Sequence, residues 1–444
     1  MRVIFPCSYY LPETAASLYI TDNIVHACAE DGNEVFLYTP TPTRSVPEGS
    51  QWFRKETLVD GKLHIKRLRM YGEGKNPVLR ALRYFLCECV QLHYMLWKKY
   101  DVAFVDSTPP IQGLKLPLVK WLRHKPVVYN AQDIFPDSLV GTGLTKKGSL
   151  IWKIGRVVEK ITYKYSDKII VISEDFKNNL LDKGVPEEKI VVVYNWVDQN
   201  AVVDIPRSEN VLFDRYGLDR SKFYITYNGN IGLTQNMDML LEVAKALESN
   251  EDIQFVLVGN GAYFNEVVKK IAGQARNEGA IQGTTYPNVT LLPFQPYEEI
   301  SHVFSLGDVS LVISKPGVGA NSVPSKTWSI MSASRPVLAN FDENELKSIL
   351  EGNANLNLNA NANDNFNPNL NANLNDKGGA KPCGIFTKAG DKVAFTDAIL
   401  KLYGDRELCR EMGRNGRKFV MDNLTKEVGT AKYVDVIRSF APQR

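Results

Sequence analysis

Glycine turns and one lysine in the second half of the chain are the residues best placed to do chemistry. Gly229 and Gly232 follow one apolar run, and Gly259 and Gly261 follow the next. Glycine lets backbone amides approach a ligand closely, and a helix that follows such a turn presents a positive end to phosphate. Two such turns in successive units favour a phosphate-containing ligand. The alternative is that tight strand-to-helix turns need glycine for steric reasons.

The lysine follows a third glycine-rich loop. An apolar run at residues 309–313 leads into this loop, and a helix is predicted to begin near Pro324 and Ser325. Lys326 would lie in the first helical turn, where a cation is electrostatically unfavourable for the helix itself. An anionic partner would explain a lysine there. The alternative is an ordinary solvated side chain.

Several common catalytic and metal-binding patterns are missing. The chain has no GxxxxGK[ST] phosphate loop, no HExxH, no GxSxG and no D-x-D pair. Its five histidines do not cluster, and its six cysteines form no CxxC pair. We therefore expect no metal site and no cofactor, and the scattered thiols are typical of a reducing compartment.

Strand-like and helix-like patterns alternate along the chain, which predicts parallel sheets covered by helices. One series fills residues 1–198 and a second fills 221–425, with a polar, aperiodic linker at 199–220. A last helical pattern at 426–444 is expected to return to the first domain. The alternative for 444 residues is one large α/β domain.

Residues 353–375 carry asparagine at every odd position, 12 of the 23 residues. Period two would normally indicate a strand, but asparagine is a poor strand former and Pro368 stands in the middle. The sequence predicts a disordered surface insert without a catalytic role. The alternative is an aggregation-prone polar β segment.

Charge is unevenly distributed along the chain. The net charge of the whole chain is only +3, which gives no reason to expect a nucleic-acid binder. Hydrophobic residues make up 44% of the chain, as in ordinary globular proteins. Residues 1–198 have a net charge of +5 and the remainder −2. Basic amphipathic segments at 79–86 and 115–123 predict peripheral contact with an anionic membrane. The alternative is that their apolar faces simply cover the sheet.

No signal sequence or spanning segment is predicted. The chain begins with a strand pattern at residues 2–5, and no run of 18 apolar residues occurs. We therefore expect a cytoplasmic protein, at the inner face of the plasma membrane if the basic segments bind lipid.

Six segments together resemble a known family. They are residues 129–138 (YNAQDIFPDS), 193–198 (VYNWVD), 228–232 (NGNIG), 258–261 (VGNG), 324–331 (PSKTWSIM) and 334–339 (SRPVLA). In this order they resemble the family 4 glycosyltransferases of GT-B fold, in the bacterial branch that builds O-antigen, colanic acid and capsule. The resemblance implies two Rossmann-like βα domains facing across a cleft. The first would bind the acceptor and the second a UDP-sugar, with retention and without a metal.

The resemblance also implies roles for individual residues. Lys326 and Asp133 would be catalytic, and Glu13, Thr14 and Asp133 would bind the acceptor. The alternative for Asp133 is that it caps the following turn. The expected donor-binding residues are Gly229, Asn230, Gly232, Gly259, Gly261, Phe294, Lys315, Gly317, Gly319, Asn321, Pro324, Ser325 and Ser329.

The chain departs from the family pattern at charged positions. The family often has an arginine and a lysine where this chain has Asn230 and Gln235. Its paired glutamates correspond to Asn321 and Ser329. These departures put more of the stabilisation of a leaving diphosphate on Lys326.

The leading functional prediction is transfer of an N-acetylhexosamine or deoxyhexosamine from a UDP-sugar. The acceptor would be a glycan or a polyprenyl-diphosphate-linked sugar in surface polysaccharide synthesis. Lys315 and Arg335 are expected to assist Lys326. The alternatives are a UDP-sugar epimerase of the same fold and an inactive nucleotide-sugar-binding protein. A dinucleotide oxidoreductase ranks last, because no GxGxxG follows the first strand.

Deleting residues 353–375 is expected to leave folding and activity intact, because the length of a surface loop changes stability only slowly. Soluble yield, the thermal unfolding midpoint and turnover of the deletion variant measure this. Loss of soluble protein would show that the segment is a structural element.

Overall fold

A computed structural model describes residues 1–13, 18–43, 46–72, 76–141, 143–275, 279–319, 324–353 and 381–441. The described residues form two compact units. The first runs from Met1 to Asn195 and takes in the C-terminal segment from Glu427, and the second lies between Trp196 and Lys426. The predicted asparagine-rich insert falls outside the described residues except for Asn353.

The first unit is built on an eight-stranded sheet. Its strands are β1 (Arg2–Pro6), β2 (Glu34–Pro40), β3 (Lys55–Leu58), β4 (Leu63–Leu68), β5 (Val102–Asp106), β6 (Val127–Ala131), β7 (Lys168–Val171) and β8 (Ile190–Val192). Their order is β3-β4-β2-β1-β5-β6-β7-β8, and only the β3–β4 pair is antiparallel. The central strands are short, apolar and almost wholly buried, as expected for a parallel sheet covered on both faces.

Seven α-helices belong to the described part of this unit. They are α1 (Leu18–Glu30), α2 (Pro77–Trp97), α3 (Leu116–Arg123), α4 (Asp137–Gly141), α5 (Leu150–Tyr165), α6 (Glu174–Asp182) and α15 (Lys426–Arg438). Side-chain oxygens of Asn76, Ser149 and Ser173 cap the starts of α2, α5 and α6. Within the described ranges, no helix combines the length and the apolar composition needed to cross a bilayer.

The second unit has its own eight-stranded sheet. Its strands are β9 (Phe223–Asn228), β10 (Ile253–Val258), β11 (Gln274–Ala275), β12 (Ile281–Gln282), β13 (Val289–Leu292), β14 (Val309–Ile313), β15 (Val337–Phe341) and β16 (Gly384–Lys388). The order is β11-β12-β13-β10-β9-β14-β15-β16. The two pairs at the β11 edge are antiparallel and the rest are parallel. The two sheets confirm the predicted α/β class.

Helices cover both faces of this second sheet. They are α7 (Val211–Tyr216), α8 (Met237–Ala246), α9 (Phe264–Ile271), α10 (Ile300–Phe304), α11 (Lys326–Ser332), α12 (Glu345–Glu351), α13 (Lys392–Gly404) and α14 (Arg406–Asn423). One apolar core lies between the sheet and α8, α9 and α13, and a second lies beneath α7 and α10.

The stretch predicted as a linker, residues 199–220, contains structure. Asn210 caps α7 with its side-chain oxygen, and Gly217 ends the helix in the left-handed conformation. Leu212 and Phe213 of this helix are fully buried in the second unit. A helix of six residues is too short to give a recognisable hydrophobic period, which is why the sequence pattern did not reveal it.

Helix α15 packs in the first unit through a buried polar network. The Tyr433 hydroxyl donates to Asn130 Oδ1 at 3.0 Å and accepts from Gln132 Nε2 at 3.1 Å. Asn130 Nδ2 in turn donates to Asp106 Oδ1 at 2.8 Å. Burial raises the pKa of the Asp106 carboxyl, and the bonds from Asn130 and Thr21 oppose that rise. The network connects the end of the chain to the carboxyl ends of β5 and β6.

Tyr433→Phe is expected to lower the free energy of unfolding of the first unit by about 1–3 kcal/mol, because it removes the two hydrogen bonds that the hydroxyl makes with Asn130 and Gln132. Tyr403→Phe is the matched control, since the Tyr403 hydroxyl bonds to Asp252 at an exposed site. Urea unfolding of both variants measures the difference. Equal stability of the two would contradict docking of α15 through this hydroxyl.

Candidate functional site

The carboxyl ends of β9 and β14 meet where the strand order of the second sheet reverses. From β9, the sheet continues through β10 on one side and through β14 on the other. Open α/β sheets bind ligands outside the carboxyl ends of their strands at such a reversal. A cavity of about 160 Å³ lies there, and Gln235, Ser314, Gly319, Pro324 and Lys326 contribute to its lining.

Lys326 is the first residue of α11, and its amine reaches over the end of β9. The Nζ atom lies 3.9 Å from the centroid of the buried Tyr227 ring. A Cβ atom added to Gly229 would stand 3.5 Å from the same Nζ. The absence of a side chain at Gly229 therefore leaves open space beside the amine. The structure thus brings together a predicted glycine turn and the predicted catalytic lysine.

The Lys326 amine has no carboxylate partner among the described residues, only the electron-rich face of Tyr227. Desolvation disfavours its charged form and lowers its pKa to about 7. A desolvated amine of this kind is poised to gain a proton when an anion binds beside it. The arrangement favours an anionic ligand over the alternative of a solvated lysine.

Buried polar atoms without partners surround the same strand ends. The side-chain amide of Asn228 and the hydroxyls of Ser314 and Thr327 have no hydrogen-bond partner within the described part of the chain. Asn228 ends β9, Ser314 follows β14, and Thr327 lies in α11 beside Lys326. Because most buried polar groups in proteins are paired, three unpaired ones at one edge favour a polar ligand.

The two predicted glycine turns pack directly against each other. A Cβ on Gly259 would stand 1.9 Å from the Gly229 carbonyl oxygen, and a Cβ on Gly261 would stand 2.5 Å from that of Ile231. The Ile231 amide also donates to the Asn260 carbonyl at 2.9 Å. The steric explanation therefore accounts for Gly259 and Gly261, whose contact with a ligand stays a prediction.

The glycine-rich loop after β14 binds a carboxylate of the protein itself. The amides of Gly317 and Gly319 donate to the two carboxylate oxygens of Asp342, at 2.9 and 2.7 Å. Asp342 directly follows β15, and this position at a strand end is the signal that the sequence gives for it. These two amides can bind two anionic oxygens, and in the structure those oxygens are the carboxylate oxygens of Asp342.

The backbone amide of Gly232, which is predicted to bind the donor substrate, also has a hydrogen-bond partner within the protein. The Gly232 amide donates to Gln235 Oε1 at 3.0 Å. Gln235 stands where the resembling family often has a lysine, and here it folds back onto its own turn. Asn230, at the other substituted position, is exposed.

The other predicted donor residues lie at or near this edge. Lys315 follows β14, and its Nζ lies 5.6 Å from the Tyr263 ring centroid. Phe294 is largely exposed after β13. Ser325 is exposed and Ser329 half-buried, at the start and middle of α11. Asn321 lies outside the described residues.

Arg335, expected to assist Lys326, makes other contacts. Its guanidinium pairs with Asp204 at 3.0 Å and donates to the carbonyls of Ile205 and Ser305. These contacts join the segment before α7 to the region after α10. In the described ranges, no group of three His, Cys, Asp or Glu side chains is arranged to hold a metal ion.

The predicted acceptor residues belong to the first unit. Glu13 is buried, and its Oε1 accepts from the Thr43 amide at 2.9 Å. Asp133 is exposed, and its carboxylate accepts hydrogen bonds from the Ser138 hydroxyl and the Ile134 amide. Desolvation nevertheless raises its pKa. Asp133 therefore caps the following turn, and its contact with an acceptor stays a prediction. Thr14 lies outside the described residues.

Comparison with known proteins shows what the chain is similar to. The family model described as Glycosyltransferase Family 4 matches residues 20–201. WbjE of Pseudomonas aeruginosa, named as a glycosyltransferase, is 25% identical over 57% of this chain and 61% of its own length. WcaI of Escherichia coli K12, named for colanic acid biosynthesis, is 26% identical over 75% of this chain and 81% of its own. Residues 20–201 of the chain therefore belong to glycosyltransferase family 4.

Solved structures agree on the fold of this glycosyltransferase. HepE of Anabaena, solved with UDP, has a TM-score of 0.67 at 13% identity and covers 99% of this chain and 100% of its own. Sucrose-phosphate synthase of Thermosynechococcus elongatus has a TM-score of 0.68 at 13% identity, over 99% and 98% of the two chains. At this identity the likeness establishes the GT-B fold alone.

The lowered pKa of Lys326 predicts proton uptake when a nucleoside diphosphate binds beside its amine, and UDP serves as the test ligand. Above about pH 7 the free amine is largely neutral, and an adjacent diphosphate raises its pKa, so binding takes up close to one proton. Affinity should fall by up to about tenfold per pH unit from pH 7 upwards. Calorimetry in buffers of different ionisation enthalpy measures both quantities, above the second phosphate ionisation near pH ~6.

Lys326→Met is the control for this titration, and its UDP affinity should be low and independent of pH over the same range. Binding by the wild-type protein without proton uptake would contradict a neutral Lys326 in the free enzyme.

Proposed function

We propose that this glycosyltransferase transfers a sugar from a UDP-sugar with retention of configuration and without a metal ion. The donor sugar is an N-acetylhexosamine or a deoxyhexosamine. The observation that carries the proposal is Lys326, a desolvated amine without an acid partner in the described residues, beside a glycine turn at the strand-order reversal. The UDP and UDP-glucose complexes of HepE support the choice of nucleotide.

Lys326 would act on the leaving group. As the bond from the sugar's anomeric carbon to the diphosphate breaks, its electron pair remains on the diphosphate. The acceptor oxygen bonds to that carbon on the same face, and its proton passes to the departing diphosphate. An ammonium fixed beside the growing charge stabilises this transition state more than the ground state. Lys315 is the second cation near these strand ends, and it would neutralise the nucleotide's remaining charge.

The acceptor is a glycan or a polyprenyl-diphosphate-linked sugar in surface polysaccharide synthesis. The names of WcaI and of the capsular polysaccharide enzyme CapM of Staphylococcus aureus support this setting. We propose that Asp133, at the carboxyl end of β6, contacts acceptor or sugar hydroxyls. The protein would work at the inner face of the plasma membrane.

The two basic segments proposed for membrane contact use most of their cations internally. Arg83 is buried and donates to the carbonyls of Tyr71 and Thr41. Lys115 is buried and pairs with Glu88 at 2.6 Å. What these segments leave at the surface is chiefly apolar, so a lipid contact needs cations from elsewhere in the first unit.

Lys326→Ala should lower turnover by ~100-fold or more, by analogy with losing one oxyanion donor. Lys326→Arg should recover part of the rate, and the exposed Lys401→Ala is the matched control with unchanged turnover. The assay offers a panel of UDP-sugars with a lipid-linked monosaccharide, and measures disaccharide and released UDP. Near-normal turnover of Lys326→Ala would remove this lysine from the mechanism.

The same assay separates the rival functions. Isomerised sugar nucleotide without transfer would indicate an epimerase. UDP-sugar binding without either product, under conditions where an active relative works, would indicate a nucleotide-sugar-binding protein.

A further inference from the structure

Helix α5 presents an apolar face to solvent, away from the sheet it covers. Leu150, Ile151, Ile154 and Val157 are between 56% and 73% exposed. The opposite side of the helix is buried, through residues that include Gly155 and Thr162. A helix that only covers a sheet points its large apolar side chains inward, so this outward face needs another explanation. We call these four exposed side chains the α5 face.

A row of lysines runs along one side of the α5 face. Lys153, Lys160 and Lys164 are seven and four residues apart, so at about 100° per residue they project in nearly one direction. All three are exposed, and none forms an ion pair with another described residue. The helix therefore offers an apolar strip with a cationic border.

A cavity of about 600 Å³ opens on the lysine side of the helix. Its lining includes Lys160, Lys164, Lys183 and Lys189, with Glu159 as its one acidic residue. Lys183 pairs with Glu159 at 2.6 Å, and Lys189 donates to backbone carbonyls. After these pairings, Lys160 and Lys164 still carry uncompensated charge at its rim, which makes the cavity complementary to an anionic headgroup.

Helix α3 extends the apolar surface. It packs beside α5, where the Trp121 ring contacts Tyr165 edge-on at 5.7 Å between centroids. Trp121 and Leu122 are each more than half exposed. Tryptophan favours the boundary between lipid and water, because its ring is apolar and its N–H is polar.

The buried side of α5, opposite the α5 face, packs against the predicted acceptor loop within the first unit. A Cβ on Gly155 would stand 2.7 Å from the Pro136 side chain and 2.9 Å from that of Phe135. The glycine thus lets the helix pack tightly onto the loop that carries Asp133. The helix that carries the α5 face therefore also supports the loop proposed to contact the acceptor.

We propose that the α5 face docks on an anionic bilayer, with its apolar side chains in the headgroup layer. Lys153, Lys160 and Lys164 then contact lipid phosphates, and the adjacent cavity receives a headgroup. This inference rests on the membrane setting proposed above and assigns it to α5 and α3. The exposed apolar side chains, the lysines without ion-pair partners and the adjacent cavity are all complementary to an anionic surface over an apolar layer.

The test is co-sedimentation of the full chain with vesicles of phosphatidylcholine, with and without phosphatidylglycerol. The wild-type protein should bind the anionic vesicles and detach at high salt. Ile154→Gln combined with Val157→Gln should weaken binding about tenfold or more, through lost apolar burial. Lys160→Glu combined with Lys164→Glu should weaken it at least about fivefold per position. Val393→Gln, at an exposed position of the second unit, should have no effect.

Thermal unfolding and UDP binding are measured on every variant, so that misfolding is not mistaken for lost docking. An α5 variant that binds UDP normally but no longer binds vesicles supports docking through the α5 face. If the wild-type protein does not bind UDP, that result counts against the proposed donor and not against the α5 face. Wild-type protein that ignores anionic vesicles, or α5 variants that bind as well as wild type, would overturn the inference. So would a dimer that the α5 substitutions dissociate, or vesicle binding abolished by inorganic phosphate at constant ionic strength.

Discussion

A lysine amine without an acid partner in the described chain is held over the ends of two parallel strands, and the candidate site depends on it. Three features keep Lys326 there. Helix α11 begins at this residue, the Tyr227 ring contacts its amine, and Gly229 leaves the space beside it open. Desolvating a cation is unfavourable unless an anion compensates. The charged form of Lys326 is therefore disfavoured at the place where the sheet's strand order reverses. A bound diphosphate is negatively charged and would stabilise that charged form.

The neighbouring loops show how few cations accompany this lysine. Arg335 is committed to Asp204 and to backbone carbonyls, and Gln235 accepts from its own turn. Asp342 occupies the amides of Gly317 and Gly319. An anion that used these amides would have to displace or share that carboxylate. Binding would thus rely on Lys326, Lys315 and the unpaired polar atoms of Asn228, Ser314 and Thr327.

The α/β class, the glycine turns and the position of Lys326 followed from local pattern, because strand periodicity and helix-start chemistry are short-range signals. The six-residue α7 did not, since three buried side chains show no period. Nor did the sequence reveal that Gly259 and Gly261 pack against the Gly229 turn, that Asp342 caps the third loop, or that Arg83 and Lys115 point inward. Each of these is a tertiary contact between segments far apart in the chain.

The most direct test of the central claim is the pKa of the Lys326 amine itself. NMR titration of protein with 13C-labelled lysine side chains, assigned with Lys326→Arg, measures it in the free and UDP-bound protein. The account predicts a value of about 7 in the free protein and a markedly higher one with UDP bound. A pKa close to the ordinary ~10.4 in both states would contradict this account, because Lys326 would then be an ordinary solvated lysine that does not respond to UDP.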